Sequence, residues 1–188
     1  MPPHPKIIGR SGVALLIIDM INTLDFEAGP KLLEHALPAA REILKLKQRA
    51  REAGIPVIYV NDNYDRWTSD FKDVVEYCLK DDVPGRPLAE ILAPGKGDHY
   101  FVLKPKHSGF YGTTLEILLR HLEVETLILT GVAGDVCVLF TANDAYMRGF
   151  DLSIPRDCIA SVEQSANDYT LDYMQRVLKA DTRPASEL

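Results

Sequence analysis

Three residue types in this chain combine into one chemistry: a thiol, a carboxyl and an amine. Cys137 lies in Leu127-Ile128-Leu129-Thr130-Gly131-Val132-Ala133-Gly134-Asp135-Val136-Cys137-Val138, where an apolar run ends in a small-residue turn and then opens into a helical pattern. That pattern puts a sulfur at a helix start, where unpaired N–H groups and the helix dipole favour negative charge and hence the nucleophilic thiolate. Asp19 ends the apolar run Val13-Ala14-Leu15-Leu16-Ile17-Ile18, and Lys104 ends Tyr100-Phe101-Val102-Leu103. An acid, an amine and a thiol at one rim would work as a unit. Cys137 attacks an electrophilic carbon, Asp19 takes the thiol proton and later returns it, and Lys104 lowers the thiol pKa and keeps the aspartate ionised. Backbone N–H groups of residues 133–137 are available as an oxyanion hole.

The elements that must position these residues follow from periodicity. The runs 13–18, 57–60, 100–103, 126–129 and, more weakly, 150–154 are continuous and apolar, the pattern of parallel strands covered on both faces. Helical patterns occupy 31–53, 71–80, 87–92, 113–122, 135–147 and 161–180. Thr113 or Thr114 is available as an N-cap, and Ser161-Val162-Glu163-Gln164 forms a capping pattern. Alternating strands and helices predict a three-layer α/β fold, Rossmann-like, with a mainly parallel sheet flanked by helices. Such sheets bind ligands at the carboxyl ends of their strands, where Asp19, Lys104 and the 131–138 turn fall. Residues 61–97 break the rhythm and read as an excursion over the strand ends.

The 188 residues predict a single domain, with no internal repeat and no linker. A net charge of −6 gives no footprint for nucleic acid. Three cysteines, Cys78, Cys137 and Cys158, form no C-x-x-C pair and fit a reducing compartment. The N-terminal residues lack an apolar signal core and no apolar run is long enough to span a bilayer. A cytoplasmic protein without membrane or nucleic-acid partners is expected. Cys78 sits among Val74, Val75 and Leu79 and reads as core; Cys158, past the fifth strand, is assigned no redox role. His99 and His107 read as structural.

The segments 15–20, Lys104-Pro105-Lys106-His107-Ser108-Gly109-Phe110 and Thr130-Gly131-Val132-Ala133-Gly134-Asp135-Val136-Cys137-Val138 together resemble the isochorismatase-like cysteine hydrolases, which include nicotinamidases, N-carbamoyl amidohydrolases and isochorismatases. Asp157-Cys158-Ile159-Ala160-Ser161 is similar to the segment after that family's fifth strand. The resemblance covers residues 11–180. It implies a catalytic triad of Asp19, Lys104 and Cys137, an oxyanion hole from the N–H groups of Ala133 and Cys137, a cis peptide at Val132–Ala133, and a homo-oligomer, dimer or tetramer.

Nicotinamidases carry an Asp-x-His after the second strand and a further histidine, which hold a metal. Here the region reads Asn61-Asp62-Asn63-Tyr64-Asp65, and no histidine lies between His35 and His99. No metal and no cofactor are therefore expected; an oxygen-only site would have to use Asp62 and Asp65. Asn61, Asn63, Trp67, Phe110 and Tyr111 are the expected pocket wall. The expected activity is hydrolysis of a small molecule at an amide or ureido C–N bond. The alternatives are vinyl-ether hydrolysis of the isochorismatase type and a non-catalytic binding protein of the same fold. A phosphorylatable receiver domain also places Asp and Lys at strand ends. It needs acids beside the first strand's aspartate, where this chain has Ile17 and Ile18.

Overall fold

The computed structural model describes residues 12–64 and 70–188. Trp67 and Asp65 lie outside the described residues. The elements run β1 (Val13–Ile18), α1 (Gly29–Glu52), β2 (Val57–Asp62), α2 (Phe71–Cys78), α3 (Arg86–Leu92), β3 (Tyr100–Lys104), α4 (Leu115–His121), β4 (Thr126–Val132), a π-helical turn (Gly134–Val138), α5 (Leu139–Met147), β5 (Asp151–Ser153), β6 (Ile159–Ala160) and α6 (Gln164–Val177).

The sheet is parallel, in the order β3-β2-β1-β4-β5, with the short β6 pairing the end of β4. The chain winds outward from β1 through β2 to β3, then returns to the other side of β1 with β4. The switch point therefore lies between β1 and β4, whose carboxyl ends lead into Asp19 and the Cys137 turn.

Alternation along β1 explains its unbroken apolar sequence. Leu15 and Ile17 face a core shared with α1, α2 and α3, while Ala14, Leu16 and Ile18 face a second core that includes residues of α4, α5 and α6. A strand covered on both faces has no polar position to offer. Helix α1 starts with Pro30 in its first turn and buries Leu32, Ala36, Ala39, Ala40, Ile43, Leu46 and Ala50, a stripe at three- and four-residue spacing. It ends before Gly54, whose φ of 70° suits a residue without a Cβ.

Several local expectations are corrected. The fifth strand is shorter than 150–154, and β6 was not expected. The helix read from residue 135 opens as a π-helical turn. The Ser161 capping pattern does not form: α6 starts at Gln164 with Glu163 as N-cap and no side-chain bond, because the Ser161 hydroxyl is used elsewhere. At α4 the N-cap residue is Thr114, yet it is the Thr113 hydroxyl that accepts the Leu115 N–H. Among the described residues no helix is long and apolar enough to cross a membrane.

Where β1 meets β4 the backbones are in close contact. Gly131 has φ 120°, and a Cβ built on it would sit 2.0 Å from the Ile18 carbonyl oxygen. Gly131→Ala is therefore expected to cost about 3 kcal/mol or more, from backbone strain plus overpacking. Urea denaturation of the two proteins measures it.

Candidate active site

Asp19 follows β1 in a left-handed backbone conformation, φ 51°, which Asp tolerates better than most residues. Its N–H donates to the Val60 carbonyl at 3.0 Å. Its Oδ1 accepts the Asp62 N–H at 2.7 Å from the end of β2. Oδ2 lies 2.8 Å from Lys104 Nζ. Lys104 stands on β3, with β2 between it and β1. Two strand spacings are about 10 Å, so a long, flexible stem is needed to bring a cation to Asp19. The Lys104 side chain is completely buried and that of Asp19 nearly so.

Cys137 joins this pair from the far side of β1. Lys104 Nζ donates to its Sγ at 3.5 Å. Asp62, paired in register with Lys104, brings a half-buried carboxylate with Oδ2 3.7 Å from the same ammonium. The π-helical turn sets the backbone around the sulfur. The Ala133 carbonyl accepts the N–H groups of Val136 and Val138, both at 3.1 Å, and passes over that of Cys137. The Val132–Ala133 peptide is cis. One turn on, Thr141 Oγ1 donates to the Cys137 carbonyl at 2.7 Å and accepts the Gly109 N–H at 3.0 Å. It thereby ties the loop after β3 to the helix that continues from the Cys137 turn.

The electrostatics correct the expectation of a thiolate. Burial pushes the Cys137 thiol up to about 12; the Asp19 charge adds to the rise, and Lys104 opposes it without overcoming it. Burial also raises the Asp19 carboxyl, against the pull of Lys104. For Lys104, burial works against the charge, but Asp19, Cys137 and Asp62 outweigh it, and its pKa rises. Burial thus raises the proton affinity of both the Cys137 thiol and the Asp19 carboxyl, while the partners of Lys104 hold it protonated.

Residues 13–182 match the family model of the isochorismatase domain. The chain belongs to the isochorismatase family. The uncharacterized isochorismatase family protein YaaI of Bacillus subtilis (strain 168) is 43% identical over 174 residues, 93% of this chain and 94% of that protein. Maleamate amidohydrolase of Pseudomonas putida is 29% identical over 170 residues, 85% of this chain and 78% of that protein. The crystal structure of N-carbamoylsarcosine amidase from Thermoplasma acidophilum superposes with a TM-score of 0.71 at 29% identity, covering 94% of this chain and 98% of that one.

The pocket wall of this family member differs from expectation. Asn61 is fully buried and donates to the Ile21 carbonyl at 2.7 Å, so it braces the loop after β1 instead of lining a pocket. Phe110 is buried beside Phe150, with the Arg148 guanidinium 4.8 Å over its ring. Tyr111 is well exposed. Asn63 lines a cavity of about 240 Å³ together with Thr23, Tyr64 and Tyr77. Cys78 is fully buried in the α2 core, with its thiol pushed up to about 11 by burial.

Among the described residues at and after the end of β2, the oxygens present do not fit a metal. Asp62 Oδ1 accepts the Tyr64 N–H at 2.6 Å, Oδ2 faces the Lys104 ammonium, and the Tyr64 hydroxyl donates to the Ile21 carbonyl at 3.2 Å. A cation would meet an ammonium and engaged oxygens. The end of β2 marks Asp62 in the sequence as a strand-end acid, but its place beside Lys104 follows from the pairing of β2 with β3. Thr141 was missed, although a threonine four residues after Cys137 is spaced to bond its carbonyl.

Cys137 is expected to rest as a thiol at neutral pH. With its pKa raised well above 9, thiolate grows only as pH climbs toward 12. The difference in absorbance at 240 nm between the protein and Cys137→Ser should show no thiolate step between pH 6 and 9. A step in that window would mean that Lys104 and the helix start dominate over burial.

Proposed function

We propose that this chain is a cysteine hydrolase that cleaves an amide or ureido C–N bond of a small molecule. The observation that carries the reading is the buried Lys104 ammonium, placed 2.8 Å from Asp19 and 3.5 Å from the partly exposed Cys137. The names of its relatives, maleamate amidohydrolase and N-carbamoylsarcosine amidase, point to the same bond class.

The steps follow from the charges. Cys137 Sγ adds to the substrate carbonyl carbon while its proton passes to the Asp19 carboxylate. The sulfur–carbon bond forms, and the carbonyl electron pair moves to oxygen. The N–H groups of Ala133 and Cys137 receive that oxyanion; losing one such donor typically costs about 10²-fold or more in rate. Asp19 then donates its proton to the leaving nitrogen as the C–N bond breaks, leaving an acyl group on sulfur. Water attacks the acyl carbon, giving its proton to Asp19. When the tetrahedral species collapses, the C–S bond breaks and that proton returns to sulfur. Lys104 stays protonated throughout. Its charge opposes the rise that burial imposes on the Asp19 carboxyl and offsets the negative charge on sulfur during attack.

A panel of small amides and ureido compounds tests this. Cys137→Ala and Asp19→Asn are each expected to lower turnover of any accepted substrate by about 10³-fold or more. Mass spectrometry of the rapidly quenched protein should show the acyl mass on Cys137. Turnover surviving in Cys137→Ala would exclude the covalent route.

A further inference from the structure

The turn that carries Cys137 is pinned from behind by groups outside the triad. The Asp135 N–H donates to Ser161 Oγ at 3.1 Å, and Ser161 Oγ donates in turn to Asn167 Oδ1 at 3.0 Å. Ser161 is 1% exposed and Asn167 3%. Ser161 directly follows β6, which pairs with β4 at Gly131 and Val132, and Asn167 lies in the first turn of α6. The Ser161 carbonyl accepts a bond from His35 Nδ1 at 2.9 Å, so the same residue is tied to α1. The fit against the turn is tight. A Cβ on Gly134 would lie 2.4 Å from Asn167 Oδ1 and 3.0 Å from Ser161 Oγ.

This arrangement accounts for the donors of the turn one by one. Val136 and Val138 bond the Ala133 carbonyl, and Asp135 bonds Ser161. The first two bonds shape the turn internally. The third fixes the turn's orientation relative to β6 and α6, and with it the directions of the Ala133 and Cys137 N–H groups. A buried N–H deprived of its acceptor seeks another, here by rotating the peptide.

We propose that Ser161, oriented by Asn167, is a positioning residue for the oxyanion hole. It touches no substrate, and it aims the Ala133 and Cys137 N–H groups by holding the peptide between them. The proposal rests on the cysteine-hydrolase reading above. It separates two reactivities of one sulfur. Alkylation by iodoacetamide forms a sulfur–carbon bond and breaks the carbon–iodine bond, releasing iodide and the thiol proton, with no oxyanion. Addition to an aldehyde forms a sulfur–carbon bond and moves the carbonyl pair onto oxygen, with the thiol proton passing to Asp19. The second uses the hole and the first does not.

The experiment compares both on the full chain: carbonyl-¹³C acetaldehyde titrated by NMR for the Cys137 thiohemiacetal, and the rate of Cys137 alkylation by iodoacetamide. Ser161→Ala is expected to weaken the aldehyde adduct about tenfold while the alkylation rate stays within about twofold, since small misplacement of aligned groups is costly only to the step that uses them. Asn167→Asp, which keeps an acceptor for the serine hydroxyl, should retain the adduct, and Asn167→Ala should weaken it. An unchanged adduct in Ser161→Ala overturns the proposal, and so does an equal loss in both reactions. If Ser161→Ala does not fold, equal adducts in Asn167→Asp and Asn167→Ala overturn it. A wild-type protein that forms no adduct on Cys137 refutes the hydrolase reading and this proposal together, a result distinct from an adduct indifferent to Ser161.

Discussion

The rim of the sheet depends on one buried ammonium. Lys104 has no exposed side-chain surface, and its partners come from three other elements: Asp19 after β1, Asp62 at the end of β2 and Cys137 after β4. A charge taken out of water must be met by close, well-directed partners, or the site does not persist. The lysine is satisfied only if the order β3-β2-β1-β4 and its register are correct. Asp62 must stand opposite Lys104, and Ile18 must align with Val60 on one side and Gly131 on the other. A slip of one residue in β3 would send the ammonium into the opposite layer. The fold and the site are thus conditions on each other.

The same ion sets the kind of chemistry the site supports. The helix start and the lysine both favour a thiolate, but burial and the neighbouring Asp19 charge prevail, and the thiol is pushed up to about 12. A standing thiolate would place another negative charge beside the carboxyl groups of Asp19 and Asp62, around a single ammonium. Moving the proton from sulfur to Asp19 leaves the total charge of the cluster unchanged. Attack by proton transfer within the cluster is therefore less costly than ionisation to solvent. This favours a nucleophile that is activated when an electrophile arrives.

Much of this was legible in the sequence, for one reason: strands buried on both faces are written as unbroken apolar runs, and their ends stand out as the first polar residues. Asp19 and Lys104 are visible in that way. Asp62 is equally visible, but nothing local says which residue on the next strand it will face. Lateral register is a property of the assembled sheet. An aromatic such as Phe110 after a strand end does not reveal in the sequence that it packs on Phe150 and Arg148. The serine at 161 carried a capping pattern, yet its hydroxyl serves the Asp135 N–H, 26 residues away in sequence. Short-range propensity lost to a long-range donor that had no other acceptor.

The π-helical turn shows how a small backbone deviation serves two ends. In an α-helical turn the Cys137 N–H would bond the carbonyl four residues earlier, that of Ala133. Here that carbonyl takes Val136 and Val138 instead. The widened turn holds the sulfur at 3.5 Å from Lys104 while leaving the N–H of Cys137 uncommitted to that carbonyl. In the proposed reaction a substrate oxygen needs that donor at the moment it gains charge. Single π turns of this kind recur at functional sites because they free backbone groups without ending the helix. Continuity matters here: α5 carries on from the turn through Thr141, whose hydroxyl bonds the Cys137 carbonyl and holds the loop after Lys104 in place. The Cys137 turn and the loop after Lys104 are thereby held by one continuous piece of helix.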